Sequence, residues 1–340
     1  MNKVVNKTIN KDIKIHNRNE TLLKGVSFGI NKLIEATCNV IYDMPSSTVN
    51  AMQNEFLRKA YIGKHNSLDE CFLIPNAIRD YGGEIPYFVL GTNLVKGWFV
   101  VPTILVGGVY LNRKEIYKSA RIMPIKMEKH WNSGHDMLIW PEDGREKFGL
   151  IEKWRNSVIK AAIEYSKYGK VLIIPENLDS TNITDMPRMI KNDPNMSIDE
   201  YLTQKDEIRK YIKPFTLRAH HLPDWWKDLG NKYVSFGEPI EVKPSDEIQK
   251  LSTYSKEKCL QLVKILPDSV KAEAIMRNRG NFNERAIFKT VEQIIDELSP
   301  HSNKFREFKN AEDVMNNSRL TNHEKPRKYD MLRNYIAHYF

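Results

Sequence analysis

A chain of 340 residues is long enough for a substantial core and for more than one folding unit. Hydrophobic residues at 41% and charged residues at 28% exclude a disordered chain and fit a soluble globular protein. The formal net charge of +9 draws it toward an anionic partner, whether nucleic acid, acidic lipid, acidic protein or phosphorylated small molecule, without choosing among them.

Residues 1 to 20 are polar and Lys-rich with no apolar segment behind them, so no signal peptide is expected. From Thr21 to Tyr42 the apolar residues Leu22, Leu23, Val26, Ile30, Leu33, Ile34 and Ile41 follow a spacing that predicts a helix. Asp43-Met44-Pro45 stops it, and Ser47 is positioned to cap a second helix holding Met52, Phe56 and Leu57. An apolar approach ends at Lys64, and the cluster His65-Asn66-Ser67-Leu68-Asp69-Glu70 follows, as where a strand delivers a side chain before turning into a helix. Glu70 to Asp80 reads as a helix broken or bent at Pro75, and Pro86 to Leu90 as a strand.

The uncharged run Gly97 to Asn112 contains Pro102 and three glycines, and its sixteen residues are too few for a membrane-spanning helix. It reads as strand, turn and strand. Met137 to Trp140 is a further strand, Ile151 to Lys167 a helix terminated by Gly169, and Val171 to Ile174 a buried strand. Residues 177 to 230 are less regular, apart from a helix near Ile198 to Tyr211, before strand and turn return at Tyr233 to Ile240. Beyond Pro244 the chain is helical through Leu298, and the last forty residues are polar with late aromatics. Strands alternating with helices predict an α/β fold: a mixed, largely parallel sheet flanked by helices, with N-terminal helices and a helical C-terminal extension. The expected division is residues 1–55, 56–245 and 246–340.

Three strand ends carry chemistry. The first holds His65, an imidazole able to act as a base near neutral pH, with Asp69 and Glu70 close enough to return to its other nitrogen. The second, Gly107-Gly108-Val109-Tyr110-Leu111-Asn112-Arg113, places a guanidinium past a buried strand. The third, Trp140-Pro141-Glu142-Asp143-Gly144-Arg145, turns at Gly144 beside an acid and a second arginine. Ligands of open α/β sheets bind beyond the carboxyl ends of the strands, where two arginines form a fork for phosphate.

In this order the blocks resemble those of the PlsC-like acyltransferases, the glycerol-3-phosphate and 1-acylglycerol-3-phosphate acyltransferases. His65 and Ser67 match the His-x4-Asp block. Arg113 closes the Gly-x-x-Phe-x-x-Arg block with Tyr110 as its aromatic. Glu142, Gly144 and Arg145 match the Pro-Glu-Gly block, and Ile173-Ile174-Pro175 the strand ending in proline. Phe236-Gly237-Glu238-Pro239-Ile240 is similar to a turn that follows in many members, so the likeness covers roughly residues 55 to 245.

Two positions depart from the pattern. The acid falls on Glu70 if the count is kept, or on Asp69 if the block is one residue short; the count favours Glu70. Asp143 stands where a small residue is usual, adding negative charge beside the expected phosphate site.

The resemblance implies transfer of a fatty acyl group from acyl-CoA or acyl carrier protein to a hydroxyl of glycerol 3-phosphate, toward which Gly144 inclines the acceptor. Lysophosphatidate is the alternative acceptor, and a non-catalytic lipid- or carrier-binding relative the alternative class. It further implies His65 as base, Glu70 or Asp69 as its partner, and Arg113, Glu142, Gly144, Arg145 and Pro175 around the acceptor.

No cofactor and no metal are expected. His220, His221 and Asp224 lack a third ligand at a useful spacing and read as a structured loop. Basic residues are not gathered into one run with interleaved aromatics, so nucleic acid is not an expected partner. The three cysteines, Cys38, Cys71 and Cys259, form no framework and read as free thiols in a reducing compartment. A cytoplasmic protein touching an anionic membrane surface is expected, with Trp98, Phe99, Trp225 and Trp226 as candidate contacts.

Overall fold

The computed structural model describes residues 36–65, 70–91, 108–111, 116–141, 154–181, 196–211, 230–321 and 323–340. A mixed, mostly parallel sheet is flanked by helices on both faces. Its strands are β1 (Asn39–Asp43), β2 (Arg58–Gly63), β3 (Tyr87–Gly91), β4 (Gly108–Leu111), β5 (Met137–Ile139), β6 (Val171–Ser180), β7 (Asn231–Phe236) and β8 (Ile240–Glu241). They lie in the order β1-β7-β6-β2-β5-β3-β4, with β8 against β6. Strands β2 to β6 run parallel, while β7 and β8 pair antiparallel with β6, and β1 runs parallel with β7.

Strand β2 is covered on both faces, which is why it reads as a nearly unbroken apolar run. Ala60 and Ile62 point to one side, with Met137, Ile139, Val171 and Ile173 of its neighbours. Helices α3 (Ile116–Asn132), α4 (Ser157–Tyr165) and α6 (Ile248–Leu260) close that face through residues such as Met127, Trp131, Val158, Ala162 and Cys259. Tyr61, one residue along and therefore on the opposite face, joins Leu138, Ile174 and Val234 under α1 (Ser46–Gln53) and α2 (Glu70–Asp80). In α4, Val158, Ile159, Ala162 and Tyr165 recur at helical spacing and all are buried.

The C-terminal extension is helical. After α5 (Ile198–Tyr211) and α6 come α7 (Pro267–Arg277), α8 (Glu284–Glu297), α9 (Ala311–Asn317) and α10 (Pro326–Asn334). Two of these starts are capped by the side-chain oxygens of Asn283 and Asn310, which accept the backbone N–H of Ala286 and Asp313. Ile275, Val291, Val314, Met331 and Ile336 build a core of their own. Among the described residues, no helix is long and apolar enough to cross a membrane.

Several elements differ from their sequence reading. Asn39–Asp43 is a strand, although helical spacing runs to Tyr42; parallel pairing of Ile41 with Tyr233 outweighs that local period. Helix α1 ends at Gln53, leaving Phe56 92% exposed in the turn before β2. Ser47 makes no cap: its hydroxyl bonds the Glu238 carboxylate instead. Trp154 precedes α4 rather than lying within it, yet is buried against the same core.

Strand β6 does not end at Pro175 but continues to Ser180. The Pro175 carbonyl accepts the Gly237 N–H, so its nitrogen faces the same side, between the stretches paired with β8 and β7. A missing N–H interrupts no ladder there.

Candidate active site

Strand β2 carries Gly63, Lys64 and His65 to the carboxyl end of the parallel strands, between the ends of β5 and the middle of β6. At its last residue, Gly63 pairs with Glu176. A Cβ on Gly63 would lie 1.9 Å from the Glu176 Oε1 and 2.6 Å from its carbonyl oxygen. Only glycine fits where the carboxylate crosses the strand end, so the backbone leading into His65 has no room for a side chain.

His65 is 8% exposed and Glu70 is fully buried. Their contact is short, with 2.7 Å between His65 Nδ1 and Glu70 Oε2. A carboxylate accepts there, so Nδ1 carries the proton and Nε2 is set as the basic nitrogen. Glu70 is the first residue of α2, where the positive end of the helix dipole favours negative charge. Across the imidazole, the Trp140 ring is stacked at 4.7 Å between centroids and 17° between planes. The carboxylate fixes rotation in the ring plane, and the indole fixes the plane itself.

Beside this pair, the turn after β7 is tied down from two directions. Gly237 N–H donates to the Pro175 carbonyl at 2.8 Å, and Thr48 Oγ1 donates to the Gly237 carbonyl at 2.7 Å. A Cβ on Gly237 would sit 3.2 Å from the Pro175 Cβ, so the turn lies directly on that proline. Helix α1 thus braces the middle of β6.

Polar groups are also buried around the sheet away from the imidazole. Asp179 on β6 is pushed up to about 6 by burial, against hydrogen bonds from the Lys264 N–H at 2.8 Å and the Asn177 amide at 2.6 Å and the charges of Lys64 and Lys264. At the opposite end of the strands, Asp136 is likewise pushed up to about 6 by burial, with Lys59 opposing. Its carboxylate takes the Lys59 N–H at 2.9 Å and the ammonium at 3.1 Å, joining the starts of β2 and β5. Its place at the amino ends of the strands makes it a structural staple.

Of the residues singled out from the sequence, the structure brings His65, Glu70 and Trp140 together, with Pro175 on the next strand. Asp69, Arg113, Glu142, Gly144 and Arg145 lie outside the described residues, as do Trp98, Phe99, His220, His221, Asp224, Trp225 and Trp226. Strand β4 ends at Leu111, two residues before Arg113, and the described chain reaches Pro141, next to Glu142. Among the described residues, no group of three or more His, Cys, Asp or Glu side chains is arranged to hold a metal ion. The stacking role of Trp140 was missed in the sequence, although an aromatic directly before Pro-Glu was its signal. Lys64 and Asp179 left no such signal.

Among solved structures, the chain is similar to the 1-acyl-sn-glycerophosphate (LPA) acyltransferase PlsC from Thermotoga maritima, at 17% identity and a TM-score of 0.42, over 70% of this chain and 76% of that one. No protein-family model and no curated protein sequence matches the chain. The chemistry rests on the side chains of this chain.

Proposed function

We propose that the chain transfers a fatty acyl group from an acyl thioester to a hydroxyl of glycerol 3-phosphate, with His65 as general base. The observation that carries this reading is the buried 2.7 Å contact between His65 Nδ1 and Glu70 Oε2 at the carboxyl ends of the parallel strands. Supporting it is the order of the sequence blocks, in which His65 precedes an arginine strand end and a Pro-Glu-Asp-Gly-Arg turn.

In the proposed reaction, Nε2 takes the proton of the acceptor hydroxyl as its oxygen attacks the thioester carbonyl. Glu70 holds the tautomer and stabilises the imidazolium that forms. Collapse of the tetrahedral adduct breaks the C–S bond, forms the ester, and returns the proton from imidazolium to the departing thiolate. No protein nucleophile is acylated. Arg113 and Arg145 are assigned to the acceptor phosphate, with Glu142, Gly144 and Pro175 shaping that side, so that remote binding energy orients the hydroxyl. The donor is acyl-CoA or acyl carrier protein, both anionic as a basic chain would favour. The product belongs at an anionic membrane surface.

The test pairs each acceptor with each donor and identifies the lipid product by mass. Glycerol 3-phosphate is expected to yield lysophosphatidate, and turnover should fall at least ~10²-fold in a folded His65→Ala protein. Product from lysophosphatidate alone would move the acceptor assignment. Absence of ester product with every pair, or parental turnover in His65→Ala, would sink the mechanism.

A further inference from the structure

The residue beside the proposed base is a buried cation. Lys64 is 2% exposed, a position a lysine holds only when its charge is compensated. Its Nζ lies 4.3 Å from the centroid of the Tyr335 ring, over the face where a ring quadrupole attracts a cation. Tyr335 is the residue that follows α10, close to the C-terminus and far outside the stretch that carries the sequence blocks.

The segment holding that ring is itself fastened. His338 Nε2–H donates to the Leu260 carbonyl at 3.2 Å, and the Tyr339 hydroxyl donates to the Val263 carbonyl at 2.5 Å. Both acceptors lie just where α6 ends. From that same helix the Cys259 thiol donates to the Ile62 carbonyl at 3.1 Å, one residue before Gly63. The terminal turn therefore grips β2 twice, through α6 and through Lys64.

The charged and titratable groups around Lys64 come from each neighbouring element. Asp179 faces it from β6, and Lys264 from the segment before α7 supplies the N–H that Asp179 accepts. His338, exposed on the same turn, is drawn below the usual imidazole range by desolvation of its hydrogen-bonded ring and then by the Lys64 charge, which disfavours a second cation there. Tyr339 is raised by burial and by Asp179, so it is neutral.

We propose that Lys64 is a positioning residue for His65, anchored on the Tyr335 ring face, so that the C-terminal turn completes the catalytic site. This deepens, and rests on, the reading of His65 as the base. Consecutive Cα atoms are about 3.8 Å apart, so a lysine whose ammonium is tied on the C-terminal side sets the backbone from which the imidazole departs. A misplacement of about 1 Å at a reacting group costs on the order of 10²-fold in rate.

Three variants of the full chain test this: Lys64→Met, Tyr335→Leu and Tyr335→Phe. Each is assayed for acyl transfer, and the His65 ring is titrated by NMR. Lys64→Met and Tyr335→Leu should each lower kcat by ~10–10²-fold with acceptor KM within about twofold, because position rather than binding is lost. Tyr335→Phe keeps the ring face and should stay near the parent. In Lys64→Met the titration midpoint of His65 should fall, since a displaced imidazole loses part of its contact with the Glu70 carboxylate, which favours imidazolium. A folded Lys64→Met protein with parental kcat and an unmoved His65 titration would overturn the proposal, as would Tyr335→Phe impaired as much as Tyr335→Leu. If Lys64→Met does not fold, the two Tyr335 variants decide. A parent chain without acyl transfer defeats the functional reading, whereas the titration reads the Lys64 contact regardless of substrate.

Discussion

Glu70→Gln isolates the electrostatic part of the proposed mechanism, because it removes a charge with almost no change of shape. The carboxylate is fully buried and its Oε2 lies 2.7 Å from His65 Nδ1. At an effective dielectric of about 20, a charge pair at that distance interacts by roughly 6 kcal/mol. The imidazole gains its charge only as the acceptor proton moves, so this attraction is realised in the transition state. An amide oxygen still accepts from Nδ1–H and retains part of the stabilisation, leaving a loss of roughly 3–5 kcal/mol, or ~10²–10⁴ in kcat. Steady-state acyl transfer at saturating acceptor reads it, with circular dichroism confirming the fold. Asp69→Asn is the paired control and is expected to stay within a few-fold of the parent. Glu70→Gln turning over within threefold of the parent, or Asp69→Asn losing more than Glu70→Gln, would refute the assignment.

Arg113→Lys and Arg145→Lys keep charge but lose the bidentate fork, so acceptor KM should rise well above any change in donor KM. Free glycerol, lacking the phosphate, should be a poor acceptor and scarcely affected further; equal impairment with both acceptors argues against a phosphate clamp. Gly63→Ala brings a Cβ within 2.6 Å of the Glu176 carbonyl oxygen, so the backbone must shift. Stability should drop by about 1–3 kcal/mol in denaturant titration with a fall in kcat, and an unchanged midpoint and rate would show that the strand end yields freely. Burial raises Asp179 to about 6, so between its unfolded value and pH 6 the folded chain holds a proton that the unfolded chain has released. Stability therefore falls as pH rises through that window, by about 3 kcal/mol for this group, and Asp179→Asn should remove that component. Parallel stability-versus-pH curves for parent and variant would contradict it. With a net charge of +9, reversible binding to anionic vesicles should weaken as salt rises. Equal sedimentation with neutral and anionic vesicles at every salt concentration would rule this out.

Local pattern was enough for the alternation of strands and helices. Tyr61-Ile62, Leu138-Ile139 and Ile173-Ile174 are apolar on successive residues because their strands are covered on both faces, and that doubly buried pattern is visible in a linear chain. The same holds for α4, whose buried stripe is a period in the sequence, and for a His with two carboxylates four and five residues beyond it.

Long-range pairing decided the rest. Asn39–Asp43 became a strand through β7, nearly two hundred residues away, against its own helical spacing. The residue count favours Glu70, but its contact with the imidazole depends on the placement of α2's first residue beside the end of β2. Trp140 reaches His65 because their strands are neighbours, and Tyr335 reaches Lys64 because the C-terminal turn folds back onto the end of α6. Neither contact leaves a periodic trace. An imidazole's orientation and the compensation of a buried cation depend on which distant groups face them, and only the packed fold determines that.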